Sequence, residues 1–446
     1  MSFEWINTTL GDFLNLKRGY DLPKTKRKDG DVPIISSSGY SGVHDKSMAK
    51  GPGVVTGRYG TIGEVFYIPE DFWPLNTTLY VEDFKGNSPL FSYYLLQTID
   101  FHAYSDKAAV PGINRNHVHM ASVRVPNSII AQEKIASILK KLEDKITSNK
   151  KINHTLEQMA QALFKNWFVD FEPVKAKIAV LESGGSQEEA TFAAMTAISG
   201  KSANALAIFE REHPEQYAEL KATAELFPSA MQESELGEIP EGWAIGNLGK
   251  IIEFNPKRIL KKGINAPYLD MKNVPVKGHT VQEVVCREVT SGTKFKNGDT
   301  LLARITPCLE NGKTAFVDFL SSNDTVGWGS TEFIVMRVKR DLPLSISYFI
   351  ARLESFRITA IQSMQGTSGR QRADAGVLQN MPWVIPPDAL LIKFGKFSNF
   401  VIDNNRVKHN QNTLLSQLRD TLLPKLLSGE VTLPDAEEIA KEADYV

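Results

Sequence analysis

Cysteine is almost absent from this 446-residue chain: only Cys286 and Cys308 occur, with no Cys-x-x-Cys pair. A disulfide scaffold and a cysteine-rich zinc site are both excluded, and a reducing cytosol is the expected compartment. No apolar run approaches the roughly 18–20 residues that span a bilayer. The start, Met1-Ser2-Phe3-Glu4-Trp5, has no basic segment followed by an apolar one, so no secretory signal is expected. A Gly-x-x-x-x-Gly-Lys-Ser/Thr phosphate loop is also missing, which argues against a nucleotide-driven motor. Gly57, Gly60 and Gly63 are regularly spaced but lack the strand–helix unit and downstream acid of a dinucleotide fingerprint. They predict a tight turn instead.

What is present is a chain long enough for two or three domains, with 42% hydrophobic and 23% charged residues. The net charge of −1 conceals a segregation. Residues 172–240 carry −7 and the tail 430–446 carries −5, which leaves the remainder at +11. A basic body of this kind favours a polyanionic partner, with solvated surface charge as the competing reading.

The chain also repeats itself. Trp5-Ile6-Asn7-Thr8-Thr9-Leu10-Gly11 returns as Trp243-Ala244-Ile245-Gly246-Asn247-Leu248-Gly249, an offset of 238. Ser92-Tyr93-Tyr94-Leu95 returns as Ser347-Tyr348-Phe349-Ile350 at 255, and Val123-Arg124-Val125-Pro126 as Trp383-Val384-Ile385-Pro386 at 260. Thr155-Leu156 and Thr413-Leu414 follow at 258. Four matches in order imply two copies of one unit, the second carrying about 22 extra residues.

Within each copy, short β-rich runs bounded by Gly and Pro predict strands at Asp31–Ile35, Gly53–Thr56, Leu79–Val81 and Phe333–Met336. Helices are expected over Pro89–Thr98 and Leu344–Glu354. From Ala131 to Lys165 there is neither Pro nor Gly, and Ile135, Leu139, Leu142 and Ile146 recur at helical spacing. After Asn149 and Asn153 the seam resumes at Leu156, Met159 and Leu163. The second copy gives Phe397 and Val401, polar Asn404, Lys408 and Gln411, then Leu415, Leu418 and Leu422. Both copies thus end in a long helix with a heptad-like seam interrupted by polar residues, the usual device for fixing register in a coiled coil. The two helices would pair most simply with each other, antiparallel; packing on their own globules is the alternative.

Downstream strings now narrow the field. They are Leu163-Phe164-Lys165-Asn166-Trp167-Phe168-Val169-Asp170-Phe171-Glu172-Pro173-Val174, Glu225-Leu226-Phe227-Pro228, and Ser234-Glu235-Leu236-Gly237-Glu238-Ile239-Pro240-Glu241-Gly242-Trp243. The second helix ends Leu422-Leu423-Pro424-Lys425-Leu426-Leu427-Ser428-Gly429-Glu430-Val431. In combination they resemble the DNA-specificity (S) subunit of type I restriction–modification systems, over nearly the whole chain apart from about 178–222. The resemblance implies a non-catalytic subunit acting in DNA methylation and defence against foreign DNA. It would read a split target in double-stranded DNA and bind two modification (methyltransferase) subunits and restriction (translocase/nuclease) subunits. S-adenosylmethionine, ATP and Mg would belong to those partners, with no cofactor or metal in this chain. The absence of Asn-Pro-Pro-Phe/Tyr, the motif expected of an adenine methyltransferase, agrees. Pro434-Asp435 with Glu437-Glu438 only faintly resembles a nuclease metal site and reads as a solvated acidic run.

The expected fold class is α+β, with two similar target recognition domains in pseudo-twofold arrangement, separated by two long antiparallel, coiled-coil-like helices. The expected boundaries are target recognition domain 1 at 1–130, a first spacer helix at 131–171 and an acidic Ala/Glu-rich connection at 172–240. Target recognition domain 2 follows at 241–388, a second spacer helix at 389–429 and an acidic tail at 430–446. A coiled-coil scaffold that assembles partners without reading DNA is the alternative function.

Candidate DNA-binding residues fall in loops. Lys17, Arg18 and Tyr20 with Lys24, Lys26, Arg27 and Lys28 form one basic cluster, and Lys257, Arg258, Lys261 and Lys262 form its counterpart. Such clusters suit phosphates, which supply affinity without sequence information. Base reading calls for Arg, Asn, Gln, Ser or Thr. Ser36, Ser37, Ser38 and Tyr40, then Arg58, Tyr59 and Thr61, fill that role in the first copy. Arg304, Thr306, Asn311 and Lys313 do so in the second. Arg115 and Asn116 are paired with Arg370, Gln371 and Arg372 as late loops. Turn stabilisation competes for each of these polar residues. His117 and His119 lack the further ligands a metal site needs. Partner subunits are expected on Leu142, Ile146, Leu156, Met159, Leu163, Leu415, Leu418 and Leu422.

Overall fold

A computed structural model describes residues 4–105, 112–367, 370–428 and 430–431. The acidic tail, with Pro434-Asp435 and Glu437-Glu438, lies outside the described residues from 432 onward. The chain divides into two compact units: Met1–Ser148 with Gln411–Val446 (unit 1), and Asn149–Asn410 (unit 2).

In unit 1 the repeated segment Trp5–Thr9 pairs antiparallel with Ser122–Pro126, closing the globule at its ends. A four-stranded antiparallel sheet runs in the order Asn15–Arg18, Thr78–Asp83, Gly53–Gly57, Val65–Ile68. A second sheet places Val32–Ser36 between Gly39–His44 and the parallel strand Trp73–Pro74. The interior strand Gly53–Gly57 is buried at every position, which is why it reads as an unbroken apolar run rather than an alternation. Helix Pro89–Gln97 starts where expected because Ser88 accepts the Phe91 N–H and Pro89 pre-sets the first turn.

Unit 2 repeats the plan. Ala244–Asn247 pairs with Pro382–Ile385, and a four-stranded sheet runs Ile252–Phe254, Phe333–Val338, Thr300–Ala303, Thr314–Phe316. Its second sheet again sets a hairpin, Asn265–Leu269 with Val285–Glu288, beside a parallel strand, Gly327–Gly329. Part of the extra length of this copy is Thr293–Phe295, which adds a fourth strand there. Nine of the twelve glutamates of residues 172–240 lie on helices Glu172–Glu182, Gln187–Ser199, Ala203–Glu212 and Pro214–Glu225. Ser186 and Glu189 form a reciprocal capping box at the second of these. A small core of Ala194, Met195, Leu206 and Ala224 holds this helical group together.

The two long helices run Ile129–Phe168 and Asp388–Ser428, and each is divided between the units. In unit 1, Ile135, Leu139, Leu142 and Ile146 share a core with Leu415, Leu422 and Leu426, together with Leu10, Phe91 and Tyr94. In unit 2 the helices are antiparallel. Lys408 Nζ donates to Asn149 Oδ1 (3.3 Å), Asn153 Nδ2 to the Asn405 carbonyl (3.2 Å), and the Phe164 and Phe394 rings meet edge-on at 5.1 Å. The polar interruptions of both seams therefore meet each other, a pairing that an apolar substitution would leave unsatisfied.

Eight seam residues were expected to carry partner subunits. Seven instead cover the chain's own cores: Leu142, Ile146, Leu415 and Leu422 are buried, and Leu156, Leu163 and Leu418 are half-buried against them. Periodicity reveals an apolar face but not what covers it. Met159 is the exception at 54% exposed, and it lines an open groove with Trp167, Ile198, Leu220 and Phe397.

Candidate nucleic-acid interface

Each unit sends one arginine out of the end of its central sheet strand. In unit 1, Gly53–Gly57 is followed by Arg58, whose N–H donates to the Thr77 carbonyl (2.9 Å) and whose carbonyl accepts the Ile113 N–H (3.1 Å). In unit 2, Thr300–Ala303 is followed by Arg304, whose N–H donates to Glu332 (2.9 Å) and whose carbonyl accepts the Ala373 N–H (2.8 Å). The two arginines are topological equivalents with the same backbone anchors.

The loop that carries Arg58, Tyr59 and Thr61 is shaped by glycine. A Cβ on Gly57 would lie 1.8 Å from the Thr61 carbonyl oxygen, and Gly60 and Gly63 have φ of +80° and +91°. The expected tight turn is there. The Arg58 guanidinium stacks over the Tyr59 ring at 4.6 Å, which stiffens both. Backbone bridging joins Tyr59 to Gly112, and Ser37 lies beside this turn, its Oγ 3.5 Å from where a Gly60 Cβ would sit. Two predicted loops of the first copy, 36–40 and 58–61, thus converge, with Gly112 and Ile113 beside them. Within them, Ser36 serves the turn: its Oγ donates to the Gly39 carbonyl (2.9 Å) and lies 3.2 Å from the Ser38 hydroxyl. Tyr40 is 69% exposed.

In unit 2, Arg304 and Thr306 converge with Gln371 and Arg372 through the Thr306 N–H to Gln371 carbonyl bond (3.2 Å) and the Ile305–Arg372 bridge. Arg304 Nε and Thr306 Oγ1 are buried atoms without a hydrogen-bond partner among the described residues. Asn311 is exposed, as is Arg370.

Other candidates are committed elsewhere. Arg258 was expected to face phosphate; instead its Nη2 reaches buried Asp299 at 3.1 Å, together with Arg337 Nη1 at 2.6 Å. The guanidinium is thus engaged within the fold rather than presented to a partner. Arg372 grips Glu332 through two nitrogens (2.7–3.0 Å), and this pairing keeps the Glu332 carboxyl below the usual range. Lys313 Nζ donates to the Met271 carbonyl (2.7 Å), away from its own loop. Lys17 is paired with Glu82, Arg27 Nη1 donates to the Ser41 carbonyl (2.6 Å), and the Tyr20 hydroxyl lies 3.0 Å from that of Tyr80. Arg18, Lys24, Lys26, Lys28, Lys257, Lys261 and Lys262 are exposed, with Lys28 Nζ 3.9 Å from Asp45.

The pairing of late loops shifts by a few residues. Arg115 and Asn116 open the short helix Arg115–His119, capped by Asn114, and its counterpart is Ala375–Gln379, capped by Asp374. Arg370–Arg372 precedes that helix, so its equivalents fall before Ile113 rather than at Arg115. His119 is structural: its Nε2 accepts the Leu16 N–H at 2.9 Å. Among the described residues no group of three His, Cys, Asp or Glu could hold a metal ion, and no helix is long and apolar enough to cross a membrane.

Comparison with known proteins separates the possibilities left by this geometry. Residues 3–158 match the family described as type I restriction modification DNA specificity domain. The chain is similar to type I DNA-specificity subunits, with the matched domain in its first third and full-length relatives along nearly all of it. It is 28% identical to the HindI specificity subunit of Haemophilus influenzae, over 96% of this chain and 100% of that one. It is 24% identical to the MjaIX specificity subunit of Methanocaldococcus jannaschii, over 94% and 91%. The fold is that of the type I S subunit solved from M. genitalium, with a TM-score of 0.54 at 13% identity, covering 95% of this chain and 96% of the other. The strings that carried the family resemblance have a physical role in unit 2. Phe164, Trp167, Phe168 and Phe171, Phe227, and Trp243 form one aromatic core, with Trp167–Phe227 at 5.3 Å and Phe171–Trp243 at 5.6 Å.

Sequence reasoning missed Asp299 and Arg352. The offset of 255 that equates Tyr93 with Tyr348 also equates Gln97 with Arg352, and that was the available signal.

Proposed function

We propose that this chain is the non-catalytic DNA sequence-recognition subunit of a type I restriction–modification complex in the cytoplasm. Unit 1 reads one half of a split target through the loops around Arg58, and unit 2 reads the other through the loops around Arg304. The observation that supports this most is the repeated placement of an arginine, Arg58 and Arg304, at the end of the same strand with matching backbone anchors. The exposed lysines at 24–28 and 257–262 supply phosphate affinity, which holds the complex on DNA without choosing a sequence. Two modification subunits bring S-adenosylmethionine, and restriction subunits bring ATP and Mg. The domain boundaries follow from the repeat, with the long helices as spacers. No comparison supports the scaffold alternative, because the relatives are specificity subunits.

The test is competition binding by the complex assembled with its modification subunits. Affinity is expected to concentrate on one bipartite sequence, with each half weakened separately by Arg58→Ala or Arg304→Ala. Equal binding to all sequences overturns the reading. Mapping methylated adenines in a strain that carries the system then supplies the sequence itself.

A further inference from the structure

We propose that Arg352 is the positioning residue for base reading by unit 2, holding the frame on which the Arg304–Lys313 loop stands. This rests on the proposed function. Arg352 ends the helix Ile346–Arg352 and uses all five of its N–H donors. Nε donates to the Tyr348 hydroxyl (3.0 Å); Nη1 donates to the carbonyls of Val276 (2.9 Å) and Gly312 (2.8 Å); Nη2 donates to those of Gly278 and Thr314 (3.0 Å). One rigid fork therefore joins two chain segments that are far apart in sequence. Gly312 and Thr314 flank Lys313 at the far end of the loop that begins with Arg304. The near end is fixed by the Arg304 backbone bonds to Glu332 and Ala373.

The fork is itself oriented. The Tyr348 hydroxyl, fully buried, accepts from Arg352 and donates to Glu157 Oε1 on the first long helix. Glu157 also accepts from Gln161 (3.0 Å). In unit 1 the equivalent of Arg352 is Gln97, and the neighbouring Tyr94 hydroxyl donates to Glu143 (2.9 Å). A glutamine amide has two N–H donors and cannot span four carbonyls.

The test compares the wild-type, Arg352→Gln and Arg352→Lys chains, each assembled with modification subunits, in competition over targets changed at single bases in either half. Discrimination in the half read by unit 2 is expected to fall about ten-fold or more, with the other half and the affinity for unrelated DNA unchanged. Arg352→Lys should lose nearly as much, because the fork and not the charge spans the carbonyls. Amide exchange should quicken at 276–278 and 311–314 while Phe333–Val338 keeps its protection. Unchanged discrimination, full rescue by lysine, or an equal loss in both halves with faster exchange in Phe333–Val338 overturns the proposal. A wild-type complex indifferent to base changes in both halves overturns the proposed function, whereas failure confined to the variants overturns the role of Arg352 alone.

Discussion

The two units have the same strand order and the same backbone anchors beneath Arg58 and Arg304, yet they fill the space under the central strand with opposite chemistry. In unit 1 that position is Gly53, against which the Phe72 ring packs so closely that a Cβ would lie 2.2 Å away. In unit 2 it is Asp299, wholly buried, holding Arg258 and Arg337 and accepting the Lys296 N–H (2.8 Å). The first solution is apolar packing. The second is an ionic clamp that reaches into the basic loop at 257–262 and immobilises its base while leaving Ile259 at the tip 90% exposed. A shared topology therefore does not require shared chemistry at its anchor points, and the two loops are held by different forces.

The largest effect should come from breaking the clamp. Asp299→Ala leaves two arginines without their buried partner and should cost about 3–5 kcal/mol, the usual penalty when one member of a buried ion pair is removed. Thermal unfolding with proteolytic mapping should show unit 2 opening first and unit 1 unaffected. Equal loosening of both units would show that the clamp is not local.

Next are the arginines themselves. Arg304→Ala should cost about 1–3 kcal/mol on one half-site only, the value of a bidentate hydrogen-bond pair to a base edge. Arg58→Ala should do the same on the other half. Competition over targets altered in one half at a time measures both. Equal losses in the two halves for either variant would remove that arginine from the base readers.

A smaller effect is expected for Lys24, Lys26 and Lys28 changed together to alanine. Binding should weaken alike for all sequences, and the salt dependence should flatten by about 0.9 in log–log slope for each phosphate no longer neutralised. Arg27 is left out because its guanidinium holds the Ser41 carbonyl, and its removal would confuse binding with folding. An unchanged slope in salt titrations would place these lysines away from DNA.

The repeat was legible because its offsets mark residues that close each globule: Trp5–Thr9 with Ser122–Pro126, and Ala244–Asn247 with Pro382–Ile385. Buried strands and the long helices were legible from local pattern. The commitments of single charges were not. Arg258 meets Asp299 from 41 residues away, and Arg352 meets Gly278 from 74. Only the closed fold brings such groups together, so a basic string reads as phosphate-binding whether or not a buried acid has already claimed one member. Gly53 and Asp299 show the same limit from the other side, since neither residue announces that it sits at the base of the central strand.

The smallest expected effect is on pH dependence, and it again sets one unit against the other. In unit 1 the Leu16 N–H donates to His119 Nε2, so that nitrogen must be unprotonated. Burial, with repulsion from Arg115 and Lys85, holds the ring below its ordinary 6.5. As pH falls through 6.5 the unfolded chain takes up a proton that the folded chain refuses. The unfolded state then binds more protons, and stability declines until the folded pKa is reached. Above 6.5 the group contributes no slope. By the offset of 260, unit 2 has Gln379 at this place, a side chain that accepts a hydrogen bond but does not titrate. His119→Gln should therefore remove the titration at this place, with protection of the Leu16 amide no longer falling as the solution is acidified from about pH 7 to 5. Amide exchange at Leu16 across that range measures it. A decline as steep in the variant as in the wild type would assign the acid sensitivity of unit 1 to a different group.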